Sequence, residues 1–225
     1  MAQRRHHYER AFESYIRARR IPYVAVDEAK KALLPTGATP ARAVDGSPAR
    51  LKSFDFILYS EGVNVLCEVK GRTLGKAGVP VTARRRTHGP RFENWVTRED
   101  VESLGAWQAL FGSGYAAAFV FVYWCAEQPR DSLFQEVMEF EGSWYALRAI
   151  EVGCYRAAMR PRSHRWGTVD LARETFERLS QPFAGPNEFA GGTALWDDLR
   201  RRDGGVPVVG GICAAPLLPL GGSVE

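Results

Sequence analysis

Three ionisable side chains stand inside strand-like apolar runs, where they need a reason to be. Asp55 lies in the run 53–59 and Glu68 and Lys70 in the run 63–70. Both runs alternate with period 2, and Ser60-Glu61-Gly62 between them predicts a β-hairpin. Alternation places Glu68 and Lys70 on one face of their strand and Val65, Cys67 and Val69 on the other. Pairing about the turn brings Asp55 beside Glu68. Two carboxylates ~4 Å apart repel by roughly 4 kcal/mol at an effective dielectric of 20. Lys70 offsets one charge and a bound divalent cation would offset the remainder. An all-oxygen donor set selects Mg²⁺ or Mn²⁺.

Two further candidates come from helices. Tyr8, Ala11, Phe12, Tyr15 and Ile16 make one apolar stripe at helical spacing, which predicts a helix over 4–20 ended by Pro22. At 100° per residue Glu9 sits about 90° from the stripe and Glu13 about 130°. Glu9 is therefore the acid that can reach a metal, and Glu13 points further out. Thr97-Arg98-Glu99-Asp100 has the form of a capping box with Asp in place of the usual Glu. The helix it opens carries Val101, Leu104, Trp107 and Phe111 and stops at Gly112 or Gly114. Gln108 projects between Val101 and Phe111, where a polar amide needs a partner.

The other elements frame these residues. Segments 23–26 and 115–124 read as strands, the second wholly apolar and so central in its sheet. Segments 134–140 and 144–152 form a hairpin about Glu141-Gly142-Ser143, and a last helix is expected over 168–179. Residues 71–98 form a long basic loop, and from 184 onward Gly and Pro dominate. The expected organisation is a mixed α/β domain over 1–183 and a tail over 184–225.

Composition narrows the class. In 225 residues, 45% apolar and 25% charged, a core can form and general disorder is excluded. The longest apolar run, 116–126, is too short to span a bilayer, and the N-terminus lacks a signal-peptide pattern. The expectation is a cytoplasmic protein with no membrane partner. Cys67, Cys125, Cys154 and Cys213 are widely spaced and read as reduced core thiols. Of the 30 cations 25 are Arg, but the net charge is only +4, so local clusters matter more than the total.

A helical Glu, an Asp in one strand and Glu-x-Lys in the next, followed by a helix and an apolar strand, resembles the PD-(D/E)xK nuclease superfamily. Tyr8-Glu9-Arg10, Asp55 and Glu68-Val69-Lys70 are most similar to its archaeal Holliday-junction-resolvase branch. His7-Tyr8-Glu9-Arg10-Ala11-Phe12-Glu13 also resembles the signature of a small group of uncharacterised bacterial proteins with a HYExAFE pattern. The likeness spans roughly 8–124. It implies a restriction-endonuclease-like core, a mixed central sheet flanked by helices, with a C-terminal β-hairpin and helix added. It also implies a Mg²⁺- or Mn²⁺-dependent endonuclease acting on nucleic acid, DNA in the first instance and structure-selectively, as a homodimer. Asp55, Glu68 and the Val69 carbonyl would hold the cation, with Glu9 completing the shell. Lys70 would orient the attacking water, and Gln108 would steady that water or Lys70. Phe54 stands where the name-giving proline would be, and the insert 71–98 lies outside the minimal fold. The alternative is a nuclease-fold protein that binds nucleic acid or assembles without cutting. The intact trio Asp55, Glu68 and Lys70 favours the enzyme.

Arg84, Arg85 and Arg86, with His88 and Arg91, follow Lys70 in the insert and read as phosphate contacts beside the site. A second cluster, Arg160, Arg162, His164 and Arg165 beside Trp166, reads first as a solvated surface. No Gly-rich phosphate loop is present, which argues against an ATPase motor. Replacing Arg84, Arg85 and Arg86 with Ala is expected to reduce the salt dependence of nucleic-acid retention on filters. A slope that does not respond to the replacement argues against phosphate contact.

Overall fold

In the computed structural model, two eleven-residue strands form the spine of the fold, β3 (Asn64–Leu74) and β5 (Tyr115–Cys125). They pair in parallel along their whole length, from Asn64 opposite Tyr115 to Leu74 opposite Cys125. A parallel pair needs a crossover, and helix α2 (Arg98–Phe111) supplies it. Strands β1 (Tyr23–Ala25) and β2 (Phe56–Leu58) add antiparallel to the β3 edge. Beyond β5 come β7 (Ser143–Glu151) and β6 (Val137–Phe140), also antiparallel, in the order β1-β2-β3-β5-β7-β6. The structure describes residues 3–26, 51–74, 92–129, 136–184 and 194–201.

Alternation sorts the core into two layers. Val65, Cys67, Val69, Ala118, Val120 and Leu147 face helix α1 (Gln3–Ala18), which packs Phe12, Tyr15 and Ile16 on them. Leu66, Phe119, Phe121 and Tyr123 face the opposite way, toward Val101 and Leu104 of α2. The same side holds α3 (Val152–Ala158) and α4 (Arg173–Leu179) through Tyr155 and Phe176. A small sheet in the order β4 (Val96–Thr97), β9 (Thr168–Asp170), β8 (Arg160–Ser163) completes that face. The expected mixed central sheet between helices, with an added hairpin, is what the chain forms.

Several boundaries differ from expectation. Strand β3 runs on to Leu74, into the segment read as a loop, because β5 pairs with it throughout. Thr168–Asp170 is strand β9 and not the start of a helix: its β-branched residues pair with β4 and β8, and the helix begins only at Arg173. Strand β8 hides in sequence because it contains Pro161, which is tolerated since β8 is an edge. Helix α3 has no side-chain cap to announce it.

The folded core also continues past the boundary placed at residue 183. Helix α5 (Leu195–Arg201) buries Leu195, Trp196 and Leu199 in the α1 layer. Buried Glu136 holds the chain there, accepting bonds from Phe183 N (2.5 Å), Ala184 N (3.0 Å) and the Tyr15 hydroxyl. Cys67 and Cys125 are free and buried, as expected. Cys213, Arg84, Arg85, Arg86, His88, Arg91 and most of the tail lie outside the described residues. Among the described residues no helix is long and apolar enough to cross a membrane.

One contact sets how closely α1 approaches the spine. The Tyr8 ring lies over Gly71 of β3, where a Cβ would come within 2.1 Å of it, and the Tyr8 hydroxyl meets Thr73 Oγ1 at 3.4 Å. Gly71→Ala is therefore expected to destabilise by about 1–3 kcal/mol, as overpacking does. In a Tyr8→Ala background the same change should cost much less. Thermal melts of the two single variants and the double variant measure both.

Candidate active site

Strand β2 is shorter than its partner, and that mismatch creates the site. Pairing ends at Phe56 opposite Cys67, and the same register continued one step sets Asp55 opposite Glu68. Asp55 is held by its backbone on both sides: its N–H donates to Cys67 O (3.0 Å) and its C=O accepts from Val26 N (2.7 Å). Val69 then has no strand residue to pair with, and its N–H donates to Asp55 Oδ2 instead, at 2.6 Å. The Val69 carbonyl turns to that same side, since a strand residue presents both backbone groups to one neighbour.

Charge accumulates around this point. Burial pushes the Asp55 carboxyl well above the usual range, the Glu68 charge pushes it further and Glu9 adds to it, while the Val69 bond and Lys70 pull back. Burial also raises Glu68, against the opposing pull of Lys70. Lys70 Nζ lies 2.8 Å from Glu68 Oε1 and 2.9 Å from Asp100 Oδ2. Burial works against its positive charge, but Glu68 and Asp100 outweigh that and its pKa is raised. The side chains are largely hidden, Glu68 and Lys70 being 12% and 14% exposed and Asp100 4%.

Asp100 has two roles. As the third residue of α2 it closes the capping box, accepting from Thr97 N at 2.9 Å while Thr97 Oγ1 accepts from Asp100 N at 3.1 Å. Its free capacity then goes to Lys70 and to Lys52 Nζ. Burial raises its pKa, but Lys70, Lys52 and the Thr97 bond overcome this and hold it at about 2. Lys52 is docked on α2, its N–H donating to Ser103 Oγ (3.1 Å) and its carbonyl accepting from Trp107 Nε1 (2.8 Å).

Of the residues expected from sequence, Asp55, Glu68, Val69 and Lys70 come together. Glu9 is half-buried on α1, and its charge is felt at Asp55. Glu13 stays apart, bonded to Arg17 (3.0 Å) and the Tyr23 hydroxyl (2.6 Å). Gln108 is not brought to the cluster. It lies two turns beyond Asp100 on α2, about 12 Å along the axis. Asp100 takes the place beside Lys70 that Gln108 was expected to fill. Sequence did carry a signal for Asp100, the unusual Asp in the capping box. Lys52 carried none.

Among the described residues the carboxylates Asp55, Glu68 and Asp100 gather around the ammonium groups of Lys52 and Lys70, an all-oxygen set of acceptors. Among the described residues no three His, Cys, Asp or Glu side chains gather into a metal cluster by themselves. The donor set fits a different pattern, in which Mg²⁺ takes one or two carboxylates and fills its shell with water and substrate phosphate. Asp55, Glu68 and the Val69 carbonyl would hold it.

No family model and no curated protein sequence matches the chain. Among solved structures it is similar to Hjc, a Holliday junction resolvase from the archaeal hyperthermophile Archaeoglobus fulgidus. The two are 11% identical with a TM-score of 0.38, and the match covers 79% of this chain and 90% of that one.

An acid whose folded pKa is raised costs stability as pH climbs above its unfolded value, ~3.9 for Asp. Asp55→Asn is therefore expected to raise the melting temperature in metal-free buffer at pH 8 by ~2–4 °C, the effect of about 1 kcal/mol in a domain of this size. The gain should vanish below pH ~4. Asp100 has the opposite sign: its contribution is present above ~3.9 and is lost as pH falls toward about 2. Mn²⁺ should raise the melting temperature of the wild type but not of Asp55→Asn. Scanning calorimetry across pH, with and without Mn²⁺, reads each effect.

Proposed function

We propose that this protein is a Mg²⁺- or Mn²⁺-dependent nuclease that hydrolyses phosphodiester bonds in nucleic acid, DNA in the first instance. The observation that carries the reading is the pair Asp55 and Glu68, side by side at the end of β2, with Lys70 clamped between Glu68 and Asp100. When bound, the cation would lower the pKa of water and neutralise charge on the scissile phosphate.

The chain's own groups supply the rest. Lys70, with its raised pKa, is an ammonium at neutral pH and so cannot act as a base. Two of its three N–H donors go to Glu68 and Asp100, and the third suits it to hold the attacking water or a non-bridging phosphate oxygen. Asp100 positions it: an ammonium held by two carboxylates keeps one direction. Glu68 accepts from Lys70 Nζ and so keeps the ammonium beside the carboxylates that would hold the cation. Glu9 adds negative charge at Asp55 and strengthens the site's preference for a cation. Structure-selective cleavage and a two-fold homodimer belong to the same reading by resemblance.

The test is incubation of labelled junction, flap, single-stranded and duplex substrates with Mg²⁺, Mn²⁺ or EDTA. Cleavage should need the metal. Glu68→Ala and Lys70→Ala should each abolish it while the circular dichroism spectrum stays native. Asp100→Asn should slow it by about 10–100-fold, as loss of a supporting partner does. Metal-independent cleavage, or Glu68→Ala and Lys70→Ala variants as active as wild type, overturns the assignment. Binding without cutting would leave the non-catalytic alternative.

A further inference from the structure

The small sheet β4-β9-β8 is built against the site and presents cations and an aromatic ring that the cleavage chemistry does not use. Gly167 O accepts from Arg98 N at 2.8 Å, and Thr97 pairs with Thr168. Arg98 opens α2, two residues before the Asp100 that holds Lys70. The β8–β9 hairpin is thus fastened to the same helix end that organises the catalytic ammonium.

A second link runs along β3. Arg72 shares the face of Glu68 and Lys70 by alternation, about 6.6 Å beyond Lys70. Its guanidinium lies 4.1 Å from the Trp95 ring centre, and that of Arg162, from β8, lies 5.2 Å from the same ring. Asn94 clamps this wall to the connection between β9 and α4, its side chain bonding Leu171 N (2.9 Å) and Leu171 O (3.2 Å). Between the walls is a cleft of about 120 Å³, lined by Trp95, Arg160, Arg162 and Arg173 together with the carboxylates Glu93 and Asp170. It has the volume of about four waters. That is room for a phosphate group, and it is smaller than the ~300 Å³ at which pockets for drug-sized ligands begin.

The cations are not equivalent. Arg160 is paired with Asp170 (2.9 Å) and Arg173 with Glu177 (2.8 Å). Among the described residues no carboxylate pairs with Arg162 or Arg165. Each is stacked on an aromatic ring instead, Arg165 on Trp166 at 5.2 Å. A guanidinium stacked by its face keeps its N–H edge for a ligand, and its planar fork suits phosphate.

Trp166 itself has no folding reason to be where it is. It occupies the third position of the turn His164–Gly167, closed by Gly167 N to His164 O at 3.3 Å, and is 69% exposed. Turns take Gly, Asn, Asp, Ser or Pro for conformational reasons, and an exposed indole gains nothing from burial. An open ring between cations is a stacking platform for a base. A duplex keeps its bases stacked within itself, whereas a single strand offers them.

We propose that the β8–β9 hairpin is a single-strand-binding arm, in which Arg162 and Arg165 take phosphates and Trp166 stacks on an unpaired base next to the point of cleavage. The arm deepens the nuclease reading and rests on it for the position of the cut. It would direct the enzyme to substrates with an unpaired stretch beside a duplex.

Fluorescence anisotropy of the full chain in EDTA, with a labelled single strand and a blunt duplex of equal length, tests this without cleavage. Trp166→Ala is expected to weaken single-strand binding about tenfold and leave duplex binding unchanged, and Trp166→Phe to restore most of the loss. Arg162→Ala should lower the slope of log K against log salt by about one. Equal losses on both substrates, or no loss, overturn the proposal. If Trp166→Ala binds the single strand like wild type while the wild type cuts, the arm falls and the nuclease stands. If nothing is cut but Trp166→Ala loses single-strand binding, the arm stands and the nuclease falls. A chain that binds neither probe overturns both.

Discussion

A strand buried on both faces cannot carry unpaired charge, and β3 carries a carboxylate and an ammonium two residues apart. Much of the site's architecture answers that constraint. Lys70 is met by Glu68 on its own strand and by Asp100 from α2, and Asp55 spends one oxygen on the Val69 N–H left unpaired where β2 ends. Burial above all, with the Glu68 charge added at Asp55, still keeps Asp55 and Glu68 above the ordinary carboxylate range, a state that folding alone would not favour.

Economy of parts follows from the same point. The N-terminal cap of α2, needed by any helix, also orients Lys70, because an Asp at the third position is short enough to close the box and still offer oxygen to an ammonium. The hairpin joining β8 to β9 hangs on that same helix end. Site and arm therefore share one anchor, Thr97 to Asp100. The close seat of Tyr8 on Gly71 does the corresponding work on the other face, setting the height of α1 and with it the reach of Glu9.

Legibility tracked the range of the interactions. The hairpin holding Asp55, Glu68 and Lys70 was readable because alternation is local and a two-residue period leaves few choices. The α1 stripe, the capping box and the central place of β5 were readable for the same reason. Elements without a local signal were not: Pro161 obscured β8, α3 lacks a cap, and the Gly- and Pro-rich surroundings of α5 concealed the spacing of Leu195, Trp196 and Leu199. Gln108 shows the limit within a correctly placed helix. Facing the core is a local property, but facing Lys70 depends on how far along the helix the strand end falls.

By itself, then, the sequence determined which acids and which ammonium share a strand face, since covalent alternation leaves no other arrangement once the strand forms. Only the tertiary structure decided what stands opposite them. The partner of Lys70 is set by the docking of α2 across the sheet, the seat of Lys52 by Trp107 and Ser103, and the place of Arg162 by a ring from another segment. Those are distances between residues far apart in the chain, and no periodicity encodes them.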